Sequence, residues 1–434
     1  MGERWGAVAA LVAAGVFLTA CNSSTSISNP GGGASGGVTA DSFAAGNGGG
    51  GKTYTVCDPA TAQKDALIAF FDVHEGDTIQ FCAGTFNFTT GLTLTGKRGI
   101  TIKGAGRDQT VISFKTSDAQ DGFNISRVNG IVVQGLTIYD APGNGLRIFR
   151  SNYVTVRDVK VGWSDTDDQC PTRPSCPLYD ASMKSWVTNG SYAFYPVLSH
   201  HIFIENSVSV GSSDAGVYVG QSNDILVQNT EAYHNVAGFE FENTFRAEFI
   251  HNVAHDNVGG FLIFDLPGRA QFGEKNVVNF NESYSNNIPS FAPRGAIVGD
   301  VPSGTGMLVL ASDQLELHDN NIHNNNMSGV IVVNYGLVDD NEPSTNYDFF
   351  PEGIHIYNNT FTDNGGSPPL PDLSRSSCHG LLNGLPVQLP VTLPDPLGGI
   401  LAGLPGISDL NNPTCITNNA SLLATILIAK NLGK

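Results

Sequence analysis

Tyrosines, carboxylates and an arginine recur at strand spacing between residues 147 and 265, and these side chains are the ones that could do chemistry. In short strands such as Gly216–Val219 and Gly238–Phe241, the residue after the glycine points inward and the next one points outward. Outward tyrosine rings can stack on sugar rings, and two carboxyl groups about 5 Å apart have the separation of the acid and the nucleophile of a retaining glycosidase. The spacing therefore predicts a surface that binds and modifies a polysaccharide.

Each side chain of this predicted surface has a role that follows from its chemical type. The carboxylates act on the glycan or bind it, whereas the aromatic, amide and basic side chains contact it. The predicted catalytic residues are Glu240, Glu242 and Asp265. The predicted substrate-binding residues are Arg147, Tyr195, Tyr218, Gln221, Asn243 and His200. The competing interpretation is that all of these are solvated outward positions of an acidic protein.

The elements that must position these residues are written as a repeat. Alternating strand openings begin at residues 193, 216, 238 and 260, so the successive steps are 23, 22 and 22 residues. Fixed periods of this length are typical of solenoids, and the alternation of apolar residues indicates strands rather than helices. A coil this short buries its apolar face only by stacking on its neighbours. The pattern predicts an all-β fold, a parallel β-helix.

Asparagines recur at the turns between these strands. Side-chain amides at equivalent turns of stacked coils can hydrogen-bond to one another along the axis, which satisfies polar groups inside the solenoid. We predict an amide ladder built from Asn206, Asn229, Asn252, Asn320 and Asn358.

The 434 residues include 22 basic and 40 acidic side chains, which gives a formal net charge of −18. This charge disfavours a nucleic-acid partner or a general anionic-membrane surface, because both are negatively charged. A repeat array can absorb the whole length in one elongated body, so we expect one main domain over residues 52–366. A Pro- and Gly-rich tail, 367–434, is expected to cover the carboxy-terminal end with an extended segment and a short helix.

The amino terminus reads as an export signal over residues 1–21, with Arg4 ahead of the apolar run Ala7–Leu18. The sequence Leu18-Thr19-Ala20-Cys21 resembles the lipobox of bacterial lipoproteins, and this resemblance implies a lipid anchor on Cys21. In lipoproteins an Asp after the cysteine marks inner-membrane retention; here the residue is Asn22, which favours the outer membrane. Residues 22–51 are mostly Gly, Ser, Asn and Ala and predict a flexible tether.

Six further cysteines are expected to form disulfides, because an exported chain meets oxidising conditions. Fifteen pairings are open to six cysteines, and clustering in sequence favours three of them. The favoured pairs are Cys57 with Cys82, Cys170 with Cys176, and Cys378 with Cys415.

Three long segments interrupt the repeat, namely residues 163–189, 267–305 and 335–352. Loops of this length inside a compact array are usually functional or capping, and we expect all three to flank the same sheet face. The first contains Asp165, Asp167 and Asp168, whose oxygens could bind Ca²⁺. A disulfide-clamped acidic loop without metal is the alternative.

An amphipathic helix is predicted over residues 61–71, followed by Gly76-Asp77-Thr78-Ile79 and Ala83-Gly84-Thr85-Phe86. This arrangement resembles the amino-terminal cap of right-handed parallel β-helix proteins of the pectin-lyase-like class, a group that includes pectate lyases, polygalacturonases and mannuronan epimerases. The segments Tyr192–Val197 and Ser213–Gln221 look like an exported bacterial subfamily of this class. The paired-Asp and Gly-His-Gly motifs of polygalacturonases and the Asp-Pro-His-Asp run of mannuronan epimerases do not occur in the sequence.

The predicted function is that of an exported β-helix lipoprotein of the cell envelope that binds a polysaccharide along one sheet face. Modification of the glycan as a lyase, an epimerase or a hydrolase is compatible with the residues above. The alternative is a surface or periplasmic scaffold without catalysis, whose coils and insertions serve adhesion or partner docking.

Overall fold

The structure is a computed structural model that describes residues 51–167, 179–180, 185–186, 189–293, 295–335, 346–365, 415–417 and 427–428. The predicted signal peptide with Cys21 and the tether up to residue 50 lie outside these residues, as do Cys170, Cys176 and Cys378. The lipid anchor and the two disulfides that involve these cysteines therefore stay predictions. No helix in the described part is long and apolar enough to cross a membrane.

The described part of the chain starts with the amino-terminal cap and the first coils. The elements are β1 (Thr53–Val56), helix α1 (Ala62–Asp72), β2 (Thr78–Phe81), β3 (Gly84–Asn87), β4 (Leu92–Thr95), β5 (Arg98–Lys103), β6 (Thr110–Ser113), β7 (Asp121–Ser126), β8 (Asn129–Tyr139), β9 (Asn144–Phe149) and β10 (Asn152–Gly162). A four-residue helix, α2 (Ser164–Asp167), follows, with the short antiparallel pair β11 (Tyr179–Asp180) and β12 (Ser185–Trp186).

The central coils each contribute three short strands. They are β13 (Tyr192–Val197), β14 (His200–Glu205), β15 (Val208–Val210), β16 (Ala215–Gly220), β17 (Asn223–Gln228), β18 (Glu231–Tyr233), β19 (Ala237–Glu242), β20 (Phe245–Ile250), β21 (Val253–His255) and β22 (Gly259–Phe264). The later coils contain β23 (Val277–Asn279), β24 (Glu282–Tyr284), a 3₁₀ helix (Ile297–Asp300), β25 (Thr305–Leu310), β26 (Glu316–His318), β27 (Asn321–His323), β28 (Ser328–Val333), β29 (His355–Tyr357), β30 (Thr360–Thr362), β31 (Cys415–Thr417) and β32 (Leu427–Ile428).

Parallel pairing of equivalent strands builds a β-helix, which confirms the predicted fold. In the described part of the chain, ten strands form the first sheet, in the order β4, β7, β9, β13, β16, β19, β22, β25, β28 and β32. Twenty others form one sheet that folds into a second and a third face, because the 11-residue strands β8 and β10 run through both. The second face contains β14, β17 and β20, and the third contains β15, β18 and β21.

Side chains alternate between the inside and the outside of the solenoid along each strand, and the inward ones form the core. Val217, Phe239 and Phe261 pair across neighbouring strands of the first sheet and are fully buried inside the helix. The rings of Phe239 and Phe261 stack with centroids 4.7 Å apart. Each coil thereby buries its apolar face on the next, as the repeat requires.

Two asparagine ladders run along the axis, one residue away from most of the predicted positions. In the first, each backbone N–H donates to the amide oxygen one coil further on, through Asn252, Asn281, Asn320 and Asn359. The second runs through Asn235, Asn257, Asn286, Asn325 and Asn364.

The prediction is right for Asn252 and Asn320 and wrong for Asn206, Asn229 and Asn358. These three are exposed, with φ between 48° and 54°, and each directly precedes an inward polar residue. Asn tolerates this left-handed backbone better than most residues, so it is selected there for its conformation and not for the ladder.

The amino-terminal cap is confirmed. Helix α1 buries Phe70 against the first coils, where its ring lies 5.5 Å from that of Phe123. The predicted bond between Cys57 and Cys82 is present and joins the segment after β1 to the end of β2, with Cα atoms 4.8 Å apart. The cap covers a core end that would otherwise be exposed.

The tail differs from its prediction in the residues that are described. Cys415–Thr417 pairs in parallel with β29, and Leu427–Ile428 pairs with β28. Leu427–Ile428 therefore extends the first sheet, where the sequence predicts a short helix. A short apolar segment such as Leu427–Ile428 is compatible with a helix or a strand, and pairing with the open edge of β28 makes it a strand.

The prediction that residues 267–305 form a single uninterrupted insertion is wrong. This segment contains β23 and β24, so the chain makes two excursions, over residues 265–276 and 285–304. Five residues of these excursions, Leu266, Ile288, Phe291, Val298 and Val301, pack on the outer side of the first sheet. The third insertion adds Tyr335 and Tyr347 to the same cluster. The expectation that insertions flank one face is confirmed for these two.

His255 on the third face gives a pH-dependent test of the fold. Its Nδ1 lies 2.8 Å from Asp256 Oδ2 and its Nε2 lies 3.1 Å from Glu231 Oε1. Burial lowers the pKa of His255, but these two carboxylates outweigh it and raise the pKa to about 9 from the ordinary 6.5. A raised pKa of a base stabilises the fold fully below about pH 6.5, and this contribution is lost as the pH rises through 9.

We expect His255→Gln to lower the free energy of unfolding by roughly 1–3 kcal/mol more at pH 6 than at pH 10. The ring also stacks on Tyr233 and Tyr284, but that loss is the same at both pH values. Denaturant melts at the two pH values measure the difference, with His74→Gln, an exposed histidine, as the control. Equal losses at both pH values would show that His255 contributes only packing.

Candidate functional site

The outer face of the first sheet carries four of the predicted site residues, Arg147, Tyr195, Tyr218 and Glu240, in one column. Arg147 pairs with Tyr195 across neighbouring strands, Tyr218 pairs with Glu240, and Glu240 pairs with Leu262. Val217 and Val219 lie in the inner core, whereas Tyr218 packs in a separate outer cluster. The predicted alternation of inward and outward residues is therefore confirmed on these strands.

This face is not the open shelf that the sequence predicts. Tyr218, Glu240 and Glu242 are only 3%, 4% and 6% exposed. Further along the face the outward side chains turn apolar, as at Leu262 and Leu308. Such residues need cover from water, and the excursions after β22, β24 and β28 supply it. The cover also buries the neighbouring polar side chains.

Three tyrosines form the aromatic part of the site. The rings of Tyr192 and Tyr195 stack with centroids 4.3 Å apart, and the Tyr218 ring is tilted at 5.0 and 4.9 Å from them. Tyr218 lies along its own strand over Gly220, where a Cβ atom would be 2.0 Å from the phenol oxygen. Only glycine leaves room for this ring position. Tyr192 and Tyr195 remain partly exposed.

Three carboxyl groups lie beside these rings. Burial raises the pKa of Glu240 well above its ordinary 4.5, and the neighbouring Asp214 and Glu242 raise it further. Burial also raises the pKa of Asp214 to about 7, although a hydrogen bond from Tyr192 opposes the shift. Glu240 Oε2 is buried and has no hydrogen-bond partner. Glu240, which is buried, and Asp214, which is partly exposed, are therefore neighbouring acids whose protonated forms are stabilised relative to free carboxyls.

Glu242 differs from its neighbours because it has a cation. Arg269 Nε lies 2.5 Å from Glu242 Oε1, and the arginine side chain is 38% exposed. Burial raises the pKa of Glu242, while Arg269 and a hydrogen bond from Tyr218 oppose the shift. We call Tyr192, Tyr195, Asp214, Tyr218, Glu240, Glu242 and Arg269 the carboxyl–tyrosine cluster.

The excursion that carries Arg269 is held by two predicted substrate contacts. Gln221 Oε1 accepts a hydrogen bond from the Ala270 N–H at 2.9 Å. Asn243 is fully buried, and its amide bonds the Leu266 N–H and the Leu266 and Gln271 carbonyls. The structure gives Asn243 a loop-anchoring role, so its prediction as a substrate contact is wrong. Gln221 is partly exposed and also anchors this loop.

The remaining predicted residues lie around the cluster or away from it. Arg147 is 26% exposed and bonds Asn124 Oδ1 at 3.0 Å, at the open amino-terminal side of the column. Asp265 is 3% exposed and accepts a hydrogen bond from the Asn243 amide. Burial, with Asp313 nearby, raises the pKa of Asp265 to about 8. His200 starts β14 on the second face, three residues after β13 ends, and its role as a substrate contact stays a prediction.

The described residues contain no group of three or more His, Cys, Asp or Glu side chains arranged to hold a metal ion. Of the predicted calcium ligands, Asp165 binds Lys115 Nζ at 2.7 Å. The Asp167 side chain and Asp168 lie outside the described residues. The calcium site stays a prediction.

The sequence analysis missed Tyr192, Asp214 and Arg269 as members of the site. Tyr192 opens the same strand as Tyr195, and its two-residue alternation does not show that its ring folds back to stack on Tyr195. Asp214 sits in the turn before β16, where a turn-capping role explains an Asp equally well. Arg269 has no signal in the strand pattern, because it lies in an excursion.

These coils and their outer cluster define a parallel β-helix with a polar site on its first sheet. A family model described as the right handed beta helix region matches residues 98–283, a range that contains the whole carboxyl–tyrosine cluster. No curated protein matches the sequence.

Solved structures of other proteins are similar to this chain at low identity. The mannuronan C-5 epimerase AlgE4 A-module of Azotobacter vinelandii is 18% identical, with a TM-score of 0.47 over 75% of this chain and 88% of that one. An alginate lyase from Paenibacillus sp. is 11% identical, with a TM-score of 0.39 over 73% and 97%. The tailspike of Escherichia coli bacteriophage HK620, in complex with a pentasaccharide, is 12% identical, with a TM-score of 0.44 over 74% and 58%. These values are too low to transfer an activity or a site residue.

Proposed function

We propose that this protein binds a polysaccharide at the carboxyl–tyrosine cluster and modifies it by proton transfer. The observation that carries the proposal is Glu240, a buried carboxyl whose Oε2 has no partner, beside a tyrosine group that is partly open to solvent. A buried polar group without a partner is costly, so its presence calls for an explanation such as a bound ligand.

The aromatic rings supply the binding surface. Tyr192 and Tyr195 are partly exposed and can stack on sugar rings, and Arg147 stands on the neighbouring strand to hydrogen-bond hydroxyl groups. Sugar recognition combines such flat apolar faces with a few fixed polar partners. The open amino-terminal side of the face is therefore the expected entry to the cluster.

The carboxyls supply acid and base. Burial and the neighbouring acids keep Glu240 in its protonated form, suited to a general acid. Burial raises the pKa of Glu242 as well, but Arg269 and a hydrogen bond from Tyr218 oppose that shift, so Glu242 ionises more readily than Glu240 and suits a base or a stabiliser of positive charge. Two neighbouring carboxyls whose surroundings push their pKa values apart are the pattern of acid–base catalysis. A lyase, an epimerase and a hydrolase all use such proton transfers.

The experiment is a panel of neutral, uronate and amino polysaccharides with and without calcium, read by binding, chain length and unsaturated ends. We expect one class to bind, and Tyr195→Ala to weaken that binding at least tenfold, because the exposed stacking face is lost. Tyr284→Ala, a partly exposed tyrosine on the third face, is the matched control. Unsaturated ends identify a lyase, and shortening without them identifies a hydrolase.

A scaffold without catalysis is the second candidate, and the cover over the first sheet favours it. Apolar residues of two excursions close part of that face to any long ligand. If no polysaccharide of the panel binds, the scaffold function replaces the proposal.

A further inference from the structure

The carboxyl–tyrosine cluster contains more carboxyl groups than cations. It contains three carboxyls, Asp214, Glu240 and Glu242, and one cation, Arg269. That cation pairs with Glu242 at 2.5 Å. The ion pairs found among the described residues give no cation to Asp214 or Glu240. The other nearby arginine, Arg147, faces Asp121 and Asn124.

The surroundings of the Glu240 carboxyl group lack a hydrogen-bond donor for Oε2. The Glu240 side chain is 4% exposed, and Oε2 has no hydrogen-bond partner. Asp214 lies close enough to raise the pKa of Glu240 by charge repulsion. A buried carboxyl in this position gains most from a ligand that brings both a positive charge and N–H donors.

We infer that the glycan bound at this cluster carries free amino groups, and that one ammonium lies between Asp214 and Glu240. This inference rests on the proposed function and names its substrate class as an amino-sugar polymer. An ammonium has three donors and no acceptor, which suits a site with more than one carboxyl group. Tyr192 and Tyr218 lie in the same cluster with ring centroids 5.0 Å apart, and aromatic rings can attract a cation.

The alternative classes fit less well. A uronate would bring a fourth carboxyl to the cluster, where Arg269 is already paired. The formal net charge of −18 also repels a polyanion and attracts a polycation over longer range. An N-acetylated sugar keeps the stacking surface but brings no charge. The amine is thus the one of these groups that brings a cation to the cluster.

The inference predicts a proton release. Burial favours protonated Asp214, whose pKa is about 7, and protonated Glu240. An arriving ammonium favours the ionised form of Asp214, so Asp214 releases its proton on binding while Glu240 keeps the proton that a general acid needs. The groups that face this pair are Glu242, Arg269, Tyr192 and Tyr218, and the tyrosines hold their protons because burial raises the pKa of each.

The test is calorimetric titration of the full chain at pH 6.5 with three oligosaccharides of equal length. They are a glucosamine oligomer, its N-acetylated form and an oligouronate, each measured in two buffers of different ionisation enthalpy. We expect the glucosamine oligomer to bind at least tenfold tighter than the N-acetylated one, which is about 1.4 kcal/mol. We also expect proton release for the glucosamine oligomer only.

Variants locate the effect. Asp214→Asn should reduce the ratio of the two affinities to less than threefold and remove the proton release. Glu75→Gln, which removes an exposed carboxyl at the cap, should keep both. Equal binding of the amine and N-acetyl forms, or tighter binding of the uronate, overturns this inference and leaves the polysaccharide function standing. Absence of binding for all three overturns this inference, and the wider polysaccharide panel then decides the proposed function separately.

Discussion

Glu240→Gln is expected to lower the turnover of the bound glycan by about 10²–10⁴-fold, the usual contribution of a general acid. Glutamine keeps the shape of the side chain but cannot donate a carboxyl proton. Burial raises the pKa of Glu240 well above 4.5 and so favours its uncharged form. Replacement by an uncharged glutamine should therefore not unfold the protein. The measurement is kcat with the substrate that the panel identifies, together with a melting curve of each variant.

The pH profile separates proton donation from a structural role. In the wild type, kcat should fall at alkaline pH as Glu240 loses its proton, and this limb should be absent in the glutamine variant. Glu75→Gln serves as the control, because it removes an exposed carboxyl far along the chain. A glutamine variant with wild-type kcat, or with the alkaline limb intact, would exclude Glu240 as the acid.

The fold could be predicted because its determinants are local and repeated. A step of 22 or 23 residues and an inward–outward alternation appear directly in the sequence, and the register of β16, β19 and β22 follows them. A repeat that contacts only its neighbours leaves few other topologies open. The cap helix was predictable for the same reason, since its apolar pattern lies within 11 residues.

The ladder positions show the limit of a pattern read from residue types. Asn appears both at inward ladder positions, as at Asn252, and at outward left-handed positions, as at Asn229. Both uses are favourable for Asn, for different physical reasons. The sequence therefore predicts that a ladder exists. It does not predict every member, because some asparagines lie one residue before the inward position of the ladder.

The sequence predicts that the side chains of the site point outward from the sheet, but it does not predict that they are buried. Alternation places Tyr218, Glu240 and Glu242 outward, as the structure shows. Their cover comes from Leu266, Phe291 and other residues of the excursions, whose packing depends on contacts that no strand period encodes. Arg269 enters the site by the same long-range route, held by Gln221 through the Ala270 N–H.

Asn281 lies at the centre of the first ladder and makes four side-chain hydrogen bonds. Its Oδ1 accepts from the backbone N–H and the side chain of Asn252, at 2.8 and 3.1 Å. Its Nδ2 donates to the Phe249 carbonyl at 2.7 Å and to Asn320 Oδ1 at 3.0 Å. All of these groups are buried, so water cannot replace a lost partner without entering the core.

Asn281→Ala should therefore lower the free energy of unfolding by roughly 3–5 kcal/mol, since each orphaned buried group costs about 1–3 kcal/mol. Asn321→Ala is the matched control, because Asn321 is exposed and its amide makes one bond of 3.2 Å, to Glu282. The control should lose about 0.5 kcal/mol or less. Denaturant melts of both variants measure the difference. Equal losses would mean that water enters the solenoid at this turn and replaces the amide, and the ladder would then not stabilise the stack.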